Sequence, residues 1–165
     1  MHEWSTLVDP ETDFDDFNVM KHGIEPHQVK GAPKWSRVMG TVSELVGDNF
    51  AVAHSPFDRA AVDRACVKAG LTIPNWQWVD TMRVSRRQWP QFKTHGLDNI
   101  CKELGIPLAH HHEAMCDARA CGMVLVKAQT EACLSVERWR QRTMGLVNPL
   151  TGRERSPAVG PDDKS

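Results

Sequence analysis

A short apolar run between two turn signals constrains the fold of this chain more than any other feature. Residues 50–54 read Phe-Ala-Val-Ala-His, with Asp48-Asn49 before them and Ser55-Pro56 after them. An apolar run of this length, bounded by turn residues, is typical of a strand that is buried on both faces. We therefore expect a central strand of a sheet at this point of the chain.

Helical periodicity lies on both sides of this run. Apolar residues recur at three- and four-residue steps between Pro33 and Gly47, and the same spacing returns further along the chain. The further helices are expected over 57–69, 82–89, 97–104 and 113–134, with a second strand over 76–81. The first 34 residues are loop-like apart from a strand at 6–8. Strands that alternate with helices predict an α/β domain.

Composition limits the class of protein. The chain has 165 residues, 41% of them hydrophobic and 25% charged, which suits one globular domain that buries a real core. Because 20 Lys and Arg residues face 21 Asp and Glu residues, any contact with nucleic acid must be local rather than a bulk charge effect. We predict one domain over 1–144 and a disordered polar tail over 145–165, which is rich in Pro, Gly, Asp, Lys and Ser.

Targeting signals and cysteine usage indicate the compartment. The sequence contains no apolar run near the roughly 20 residues that a membrane span requires, and its N-terminus lacks the basic head and apolar core of a signal peptide. The five cysteines are odd in number and form no Cys-x-x-Cys pair, so a secreted disulfide framework is not expected. These features predict a cytoplasmic protein.

The segment His112–Arg119 carries the strongest indication of chemistry. On one continuous helix, a five-residue step separates two side chains by about 140°, so His112 should lie on the turn before the helix while Asp117 points from its start. Asp58 follows the end of the buried strand, which is where open α/β sheets tend to bind ligands. Histidine suits a general base near neutral pH, and carboxylates suit divalent cations. Taken singly, each acid could equally be an ordinary helix-start residue.

Four motifs, in order and spacing, resemble the DEDDh family of 3′-to-5′ exonucleases, which includes the proofreading subunit of bacterial replicative polymerases and ribonuclease T. The motifs are residues 54–58 (HSPFD), 78–81 (WVDT), 96–106 (GLDNICKELGI) and 112–119 (HEAMCDAR). The resemblance covers about residues 4–130. It implies a ribonuclease H-like α/β fold, with a mixed central sheet flanked by helices.

The resemblance also implies a set of site residues. Asp58 and Asp117 would be ligands of a two-metal site for Mg²⁺ or Mn²⁺, and His112 would be the general base. His54, Ser55, Phe57, Arg83 and Leu97 would be substrate-binding positions, although Phe57 also suits packing and Leu97 also suits a structural role. The substrate would be the 3′ end of single-stranded DNA or RNA, with a polymerase or a second copy of the chain as a partner.

Two departures from the family pattern change these expectations. The link between His54 and Asp58 is one residue shorter than usual, which affects a substrate hydrogen bond. Members of the family begin with a strand that carries Asp-x-Glu, and here only Asp9-Pro10-Glu11-Thr12 mimics it by letter, with a proline that argues against a central strand. Without those two acids, we predict weak or no autonomous activity for the 165 residues and an exposed seam where the first strand would lie.

Three alternatives remain at this point. A module of the same fold could bind nucleic acid or a partner without catalysis. A zinc site could form among His110, His111, His112, Cys116 and Cys121, although their spacing matches no familiar zinc pattern and Cys121 falls on the apolar helical stripe. A basic and aromatic cluster over 83–93 could track a phosphate backbone and stack a base, or form a solvated helix face.

Overall fold

The protein is described by a computed structural model, which covers residues 3–109 and 111–144. Within these residues, short strands alternate with helices as the sequence predicts. The elements in chain order are α1 (Asp16–His22), a 3₁₀ turn (Pro26–Val29), α2 (Trp35–Val46), β1 (Phe50–Ala53), α3 (Phe57–Lys68), β2 (Gln77–Asp80), α4 (Thr81–Gln88), α5 (Leu97–Leu104), α6 (Ala114–Ala132) and α7 (Val136–Thr143).

The two strands form a small parallel sheet. Phe50 pairs with Gln77 at one end and Ala53 pairs with Asp80 at the other, so both strands end at the same edge. Ala51 and Ala53 are buried, whereas Val52 between them is 36% exposed. The expectation that this strand is buried on both faces is therefore wrong at Val52.

A hydrophobic core lies between the sheet and the C-terminal helices. The long helix α6 passes through its centre and packs against α4, α5, α7 and β1. Helix α7 also packs against β2. The buried core residues are Val79, Val84, Trp89, Leu97, Ile100, Cys101, Ile106, Ala120, Val124, Leu125, Ala128 and Trp139. This core fixes the ends of β1 and β2 relative to the start of α6.

The first 34 residues differ from the prediction. Residues 6–8 form no strand, and only an isolated parallel bridge joins Asp9 to Lys34. A helix, α1, forms where a loop was expected, because Asp15 accepts a hydrogen bond from the Phe17 amide and Gly23 ends the helix in the left-handed region. Local capping therefore stabilises a helix that the apolar pattern did not predict.

The long helix predicted over 113–134 forms as α6, and a further helix, α7, follows it. Helix α6 ends at Cys133, which has a φ of 52° in the left-handed region, and Ser135 caps α7 by accepting from the Arg138 amide. The tail predicted over 145–165 lies outside the described residues. Among residues 3–109 and 111–144, no helix combines the length and the apolar character that are needed to cross a bilayer.

Candidate functional site

Asp58 stands in the first turn of α3, just beyond the end of β1. The link between them is tight: Ser55 has a φ of 125°, and its hydroxyl oxygen accepts from the Phe57 amide at 3.2 Å. Although the Asp58 residue is exposed, neighbouring protein atoms partly desolvate its carboxyl group and raise its pKa, and the nearby charge of Asp117 raises the pKa further. The structure thus brings together the two acids that the sequence singled out.

Asp117 stands in the first turn of α6 with both carboxylate oxygens engaged. One oxygen is 3.0 Å from the ring Nδ1 of His111, and the other accepts from the backbone amide of His112 at 3.1 Å. Glu113 caps the helix by accepting from the amides of Met115 and Cys116. Because Glu113 satisfies these amides, Asp117 is available to face the site rather than the helix backbone.

His112 lies on the turn before α6, as predicted, in the left-handed region with a φ of 76°. Its ring is exposed and stacks on the ring of His111, with 3.9 Å between the ring centroids. His111, which the sequence placed only in the zinc alternative, contributes the ring that contacts Asp117. The adjacency of two histidines before a helix-start acid was the signal in the sequence that pointed to this contact.

His54 anchors the end of β1 to two other segments. Its Nδ1 lies 2.9 Å from the Thr81 hydroxyl and its Nε2 lies 2.8 Å from the carbonyl oxygen of His95. Burial lowers the pKa of His54, and of the groups that oppose this shift the His95 carbonyl is the strongest. A neutral ring would donate from Nε2 to that carbonyl, with Nδ1 facing the Thr81 hydroxyl. Both ring nitrogens of His54 have protein partners in this structure. The substrate-binding role predicted for this residue stays a prediction.

The remaining predicted substrate positions lie in different environments. Phe57 is 69% exposed beside Asp58, so the packing role expected for it is wrong within the described residues. Ser55 is half-buried at the same corner. Leu97 is buried in the core, which is the structural role that the sequence left open. Their contacts with substrate stay predictions.

Arg83 lies at the start of α4, where Asp80 organises the backbone. Asp80 accepts from the amides of Met82 and Arg83, and its second oxygen lies 3.4 Å from the Arg83 Nε. In the basic and aromatic cluster, Trp89 is buried and donates from its indole nitrogen to Glu131 at 2.8 Å, while Phe92 stacks on it. The proposed base-stacking role of the cluster is therefore not available to Trp89.

The acids fit a divalent cation in part. Asp58 and Asp117 are close enough for the charge of one to raise the pKa of the other, and a cation between them would relieve that repulsion. Carboxylate oxygens are the ligands that Mg²⁺ and Mn²⁺ prefer. Two carboxylates are nevertheless few for two such ions, which usually take several oxygen ligands each.

Comparison with known proteins decides the family. The model of the Exonuclease family matches residues 2–125, which is most of the chain. This chain belongs to the exonuclease family. The membership confirms the family that the four sequence motifs resemble. The corner at Asp58 and Asp117 therefore lies in a fold of the exonuclease family.

Relatives of this exonuclease-family chain include large bacterial replication proteins. The DNA polymerase III PolC-type protein of Bacillus cereus is 37% identical over 106 residues, which are 64% of this chain and 7% of that protein. Its counterpart in Latilactobacillus sakei subsp. sakei is 31% identical over 148 residues, 89% of this chain and 10% of that protein. The chain thus spans a tenth or less of the length of these relatives.

Solved exonuclease structures share the fold. Exonuclease X in complex with 5′ overhanging duplex DNA superposes with a TM-score of 0.62 at 22% identity, covering 83% of this chain and 78% of that one. The nuclease domain of 3′hExo, a DEDDh family member bound to rAMP, gives a TM-score of 0.64 at 16% identity, covering 76% and 69%. The predicted ribonuclease H-like α/β fold is confirmed, while the sheet of the described residues has two parallel strands rather than the mixed set expected.

Proposed function

We propose that this chain contributes one side of a 3′-to-5′ exonuclease centre, in which Asp58 and Asp117 hold divalent metal and His112 is the general base. The observation that carries the proposal is the contact of the 111–112 turn with both carboxylate oxygens of Asp117, with Asp58 near enough for the charge of Asp117 to raise its pKa. Family membership supports the reaction class. The polymerase context of the relatives supports a single-stranded DNA or RNA 3′ end as the substrate.

The reaction requires a protein group to accept the proton of the attacking water. A water oxygen forms a bond to phosphorus, the bond between phosphorus and the neighbouring 3′ oxygen breaks, and a nucleoside 5′-monophosphate leaves. His112 would take the proton of the attacking water, since its ring is exposed and neutral imidazole accepts protons near pH 7. Mg²⁺ or Mn²⁺ bound at the acids would supply charge neutralisation and a more acidic water.

The backbone of the site supports this division of roles. The His112 amide holds one oxygen of Asp117 at 3.1 Å, so the turn that presents the base also orients the metal ligand. A rigid link of this kind keeps catalytic groups within the small tolerance that chemistry allows. The contact with the His111 ring occupies the other oxygen, which must be released or shared when a cation binds.

We expect the 165-residue chain by itself to be a slow enzyme at best. Asp58 and Asp117 supply few oxygen ligands, and a two-metal reaction needs both ions in place. A second candidate function is therefore a non-catalytic module that binds nucleic acid. The engagement of both Asp117 oxygens by protein groups favours this second candidate.

The test is an oligonucleotide assay with the purified 165-residue chain. A single-stranded DNA or RNA labelled at its 5′ end is incubated with Mn²⁺, and the products are separated by length. We expect slow shortening from the 3′ end that is reduced at least about tenfold in Asp58→Asn, Asp117→Asn and His112→Asn. His27→Asn changes an exposed histidine that is distant in sequence from the site residues, and it is the control. Its rate of shortening should match that of the wild type.

Each outcome separates the candidates. Shortening that persists equally in all three site variants would contradict the proposed roles and indicate a contaminating nuclease. Binding of the oligonucleotide without shortening would favour the non-catalytic module. Rapid, processive degradation that is lost in Asp117→Asn would support the centre and overturn the expectation of weak activity.

A further inference from the structure

The turn before α6 brings together three side chains with a different metal preference from the paired acids. One candidate ligand atom from each of His111, His112 and Asp117 lies within 4.8 Å of the other two. We propose that these three residues form a binding site for Zn²⁺ or a similar borderline first-row cation. We further propose that the bound cation inhibits the centre, a consequence that rests on the proposed function because the cation takes its base and one of its acids.

The donor set determines which cation fits. Two imidazole nitrogens and one carboxylate oxygen suit Zn²⁺, whereas Mg²⁺ prefers oxygen ligands alone. At Zn²⁺ distances of about 2.0–2.1 Å, tetrahedral ligand atoms lie roughly 3.4 Å apart. Because the three ligand atoms already lie within 4.8 Å of one another, binding of Zn²⁺ requires only small movements of these atoms. His111 and His112 are exposed side chains that can rotate.

Two further observations favour a site over a chance grouping. The rings of His111 and His112 already stack, so the two nitrogen donors lie close together. The His112 amide also fixes one oxygen of Asp117, which leaves the other facing the His111 ring at 3.0 Å. A second-shell hydrogen bond of this kind orients a carboxylate ligand and strengthens metal binding.

The nearby cysteines are not needed for this site. Cys121 is buried, its sulfur lies 3.2 Å from the Thr81 hydroxyl, and burial raises its pKa to about 12. The zinc alternative that included Cys121 is therefore corrected: its thiol stays protonated and belongs to the core. The third histidine of the run, His110, lies outside the described residues, and the three ligands above suffice without it.

Occupancy by Zn²⁺ and catalysis would exclude each other. A His112 nitrogen that coordinates a cation has no lone pair left to accept a proton, and the Asp117 oxygen is shared with a second metal at best. Added Zn²⁺ should therefore slow any Mn²⁺-dependent shortening of the oligonucleotide. Binding itself needs no nuclease activity, so it can be measured independently.

The primary measurement is calorimetric titration of Zn²⁺ into the untagged 165-residue chain at pH 7.5. We expect one equivalent to bind, with affinity reduced about tenfold or more in His111→Gln, His112→Gln and Asp117→Asn. His27→Gln is the matched control and should bind as the wild type does. Co²⁺ serves as a second probe, since its visible absorption strengthens when the ion enters a tetrahedral site, and circular dichroism establishes that each variant is folded.

The possible results decide both the site and its relation to the proposed function. Binding that survives Asp117→Asn but is lost in His110→Gln would indicate a simple histidine tract and overturn the proposal, as would no binding of either probe. Binding of Zn²⁺ by a chain that never shortens an oligonucleotide would keep the site and reject the nuclease. Shortening that is insensitive to Zn²⁺ would reject the inhibition alone.

Discussion

His54 links β1 to two other segments through its ring alone. Its nitrogens contact the Thr81 hydroxyl at the start of α4 and the His95 carbonyl before α5, at 2.9 and 2.8 Å. Thr81 is fully buried and also lies 3.2 Å from the Ala53 carbonyl oxygen, so the contacts continue into the sheet edge. A buried polar group that loses its partner lowers the stability of the fold. His54 therefore holds the corner beside Asp58 in place.

The lowered pKa of His54 makes the stability of the protein depend on pH. The unfolded chain binds a proton near pH 6.5 while the folded ring resists it, so the free energy of unfolding should fall as pH drops from 7.5 through 6.5. His95, whose pKa burial also lowers, acts in the same direction. Urea unfolding at pH 7.5, 6.5 and 5.5 should show a shallower decline in His54→Gln than in the wild type.

His27→Gln provides the control for this measurement, because His27 is exposed on the 3₁₀ turn. The comparison uses the slope with pH rather than the absolute stability, since His54→Gln also removes two hydrogen bonds. An unchanged slope in His54→Gln would contradict the role assigned to the buried ring.

Capping decides where the elements next to the site begin. Asp80 ends β2 and accepts from two amides at the start of α4, and Glu113 does the same at the start of α6. These side chains satisfy backbone donors that a helix start leaves without partners. The two helices therefore start at fixed positions beside the sheet edge that carries Asp58.

We expect Asp80→Ala to lower the free energy of unfolding by about 1–2 kcal/mol, because it removes the cap of α4. Asp80→Asn should cost less, since the amide oxygen can still accept a hydrogen bond. Asp48→Ala changes an acid in an exposed turn and should alter stability by less than about 0.5 kcal/mol. Chemical denaturation of the three variants checks the order, and equal losses for Asp80→Ala and Asp48→Ala would argue against the cap.

The molecule as a whole has an incompletely covered sheet. Within residues 3–109 and 111–144, β1 pairs with β2 and with no other strand, and Val52 is 36% exposed. An open strand edge with an exposed apolar side chain is a template for pairing with another strand. The predicted homodimer partner is consistent with this surface.

We therefore predict that the 165-residue chain self-associates through β1. Light scattering coupled to size-exclusion chromatography should show a mass that rises with concentration, and Val52→Lys should shift it toward the monomer because charge disfavours edge pairing. Val126→Lys is the matched control, since Val126 is an exposed valine on α6. A stable monomer at all concentrations, or an equal effect of the two substitutions, would reject the prediction.

The sequence was informative wherever periodicity and local capping agreed. The helices at 35–46, 57–68, 97–104 and 114–132 follow the apolar spacing, and both strands lie where short apolar runs meet turn residues. The prediction failed at 6–8, where a short apolar run has no partner strand among the described residues. It also failed at α1, because the helix is set by the Asp15 cap and apolar periodicity does not reveal such a cap. Short apolar runs become strands only when another strand pairs with them.

The sequence by itself indicated the family and the α/β class and singled out Asp58 and Asp117 as candidate ligands, because motif spacing and apolar periodicity are local properties. Only the tertiary structure decided that the charge of Asp117 raises the pKa of Asp58, that His111 contacts Asp117, and that His54 anchors the corner. Those relations depend on how β1, α4 and α6 pack around one core. A side chain's partner across such a core is set by packing, and one sequence does not specify it.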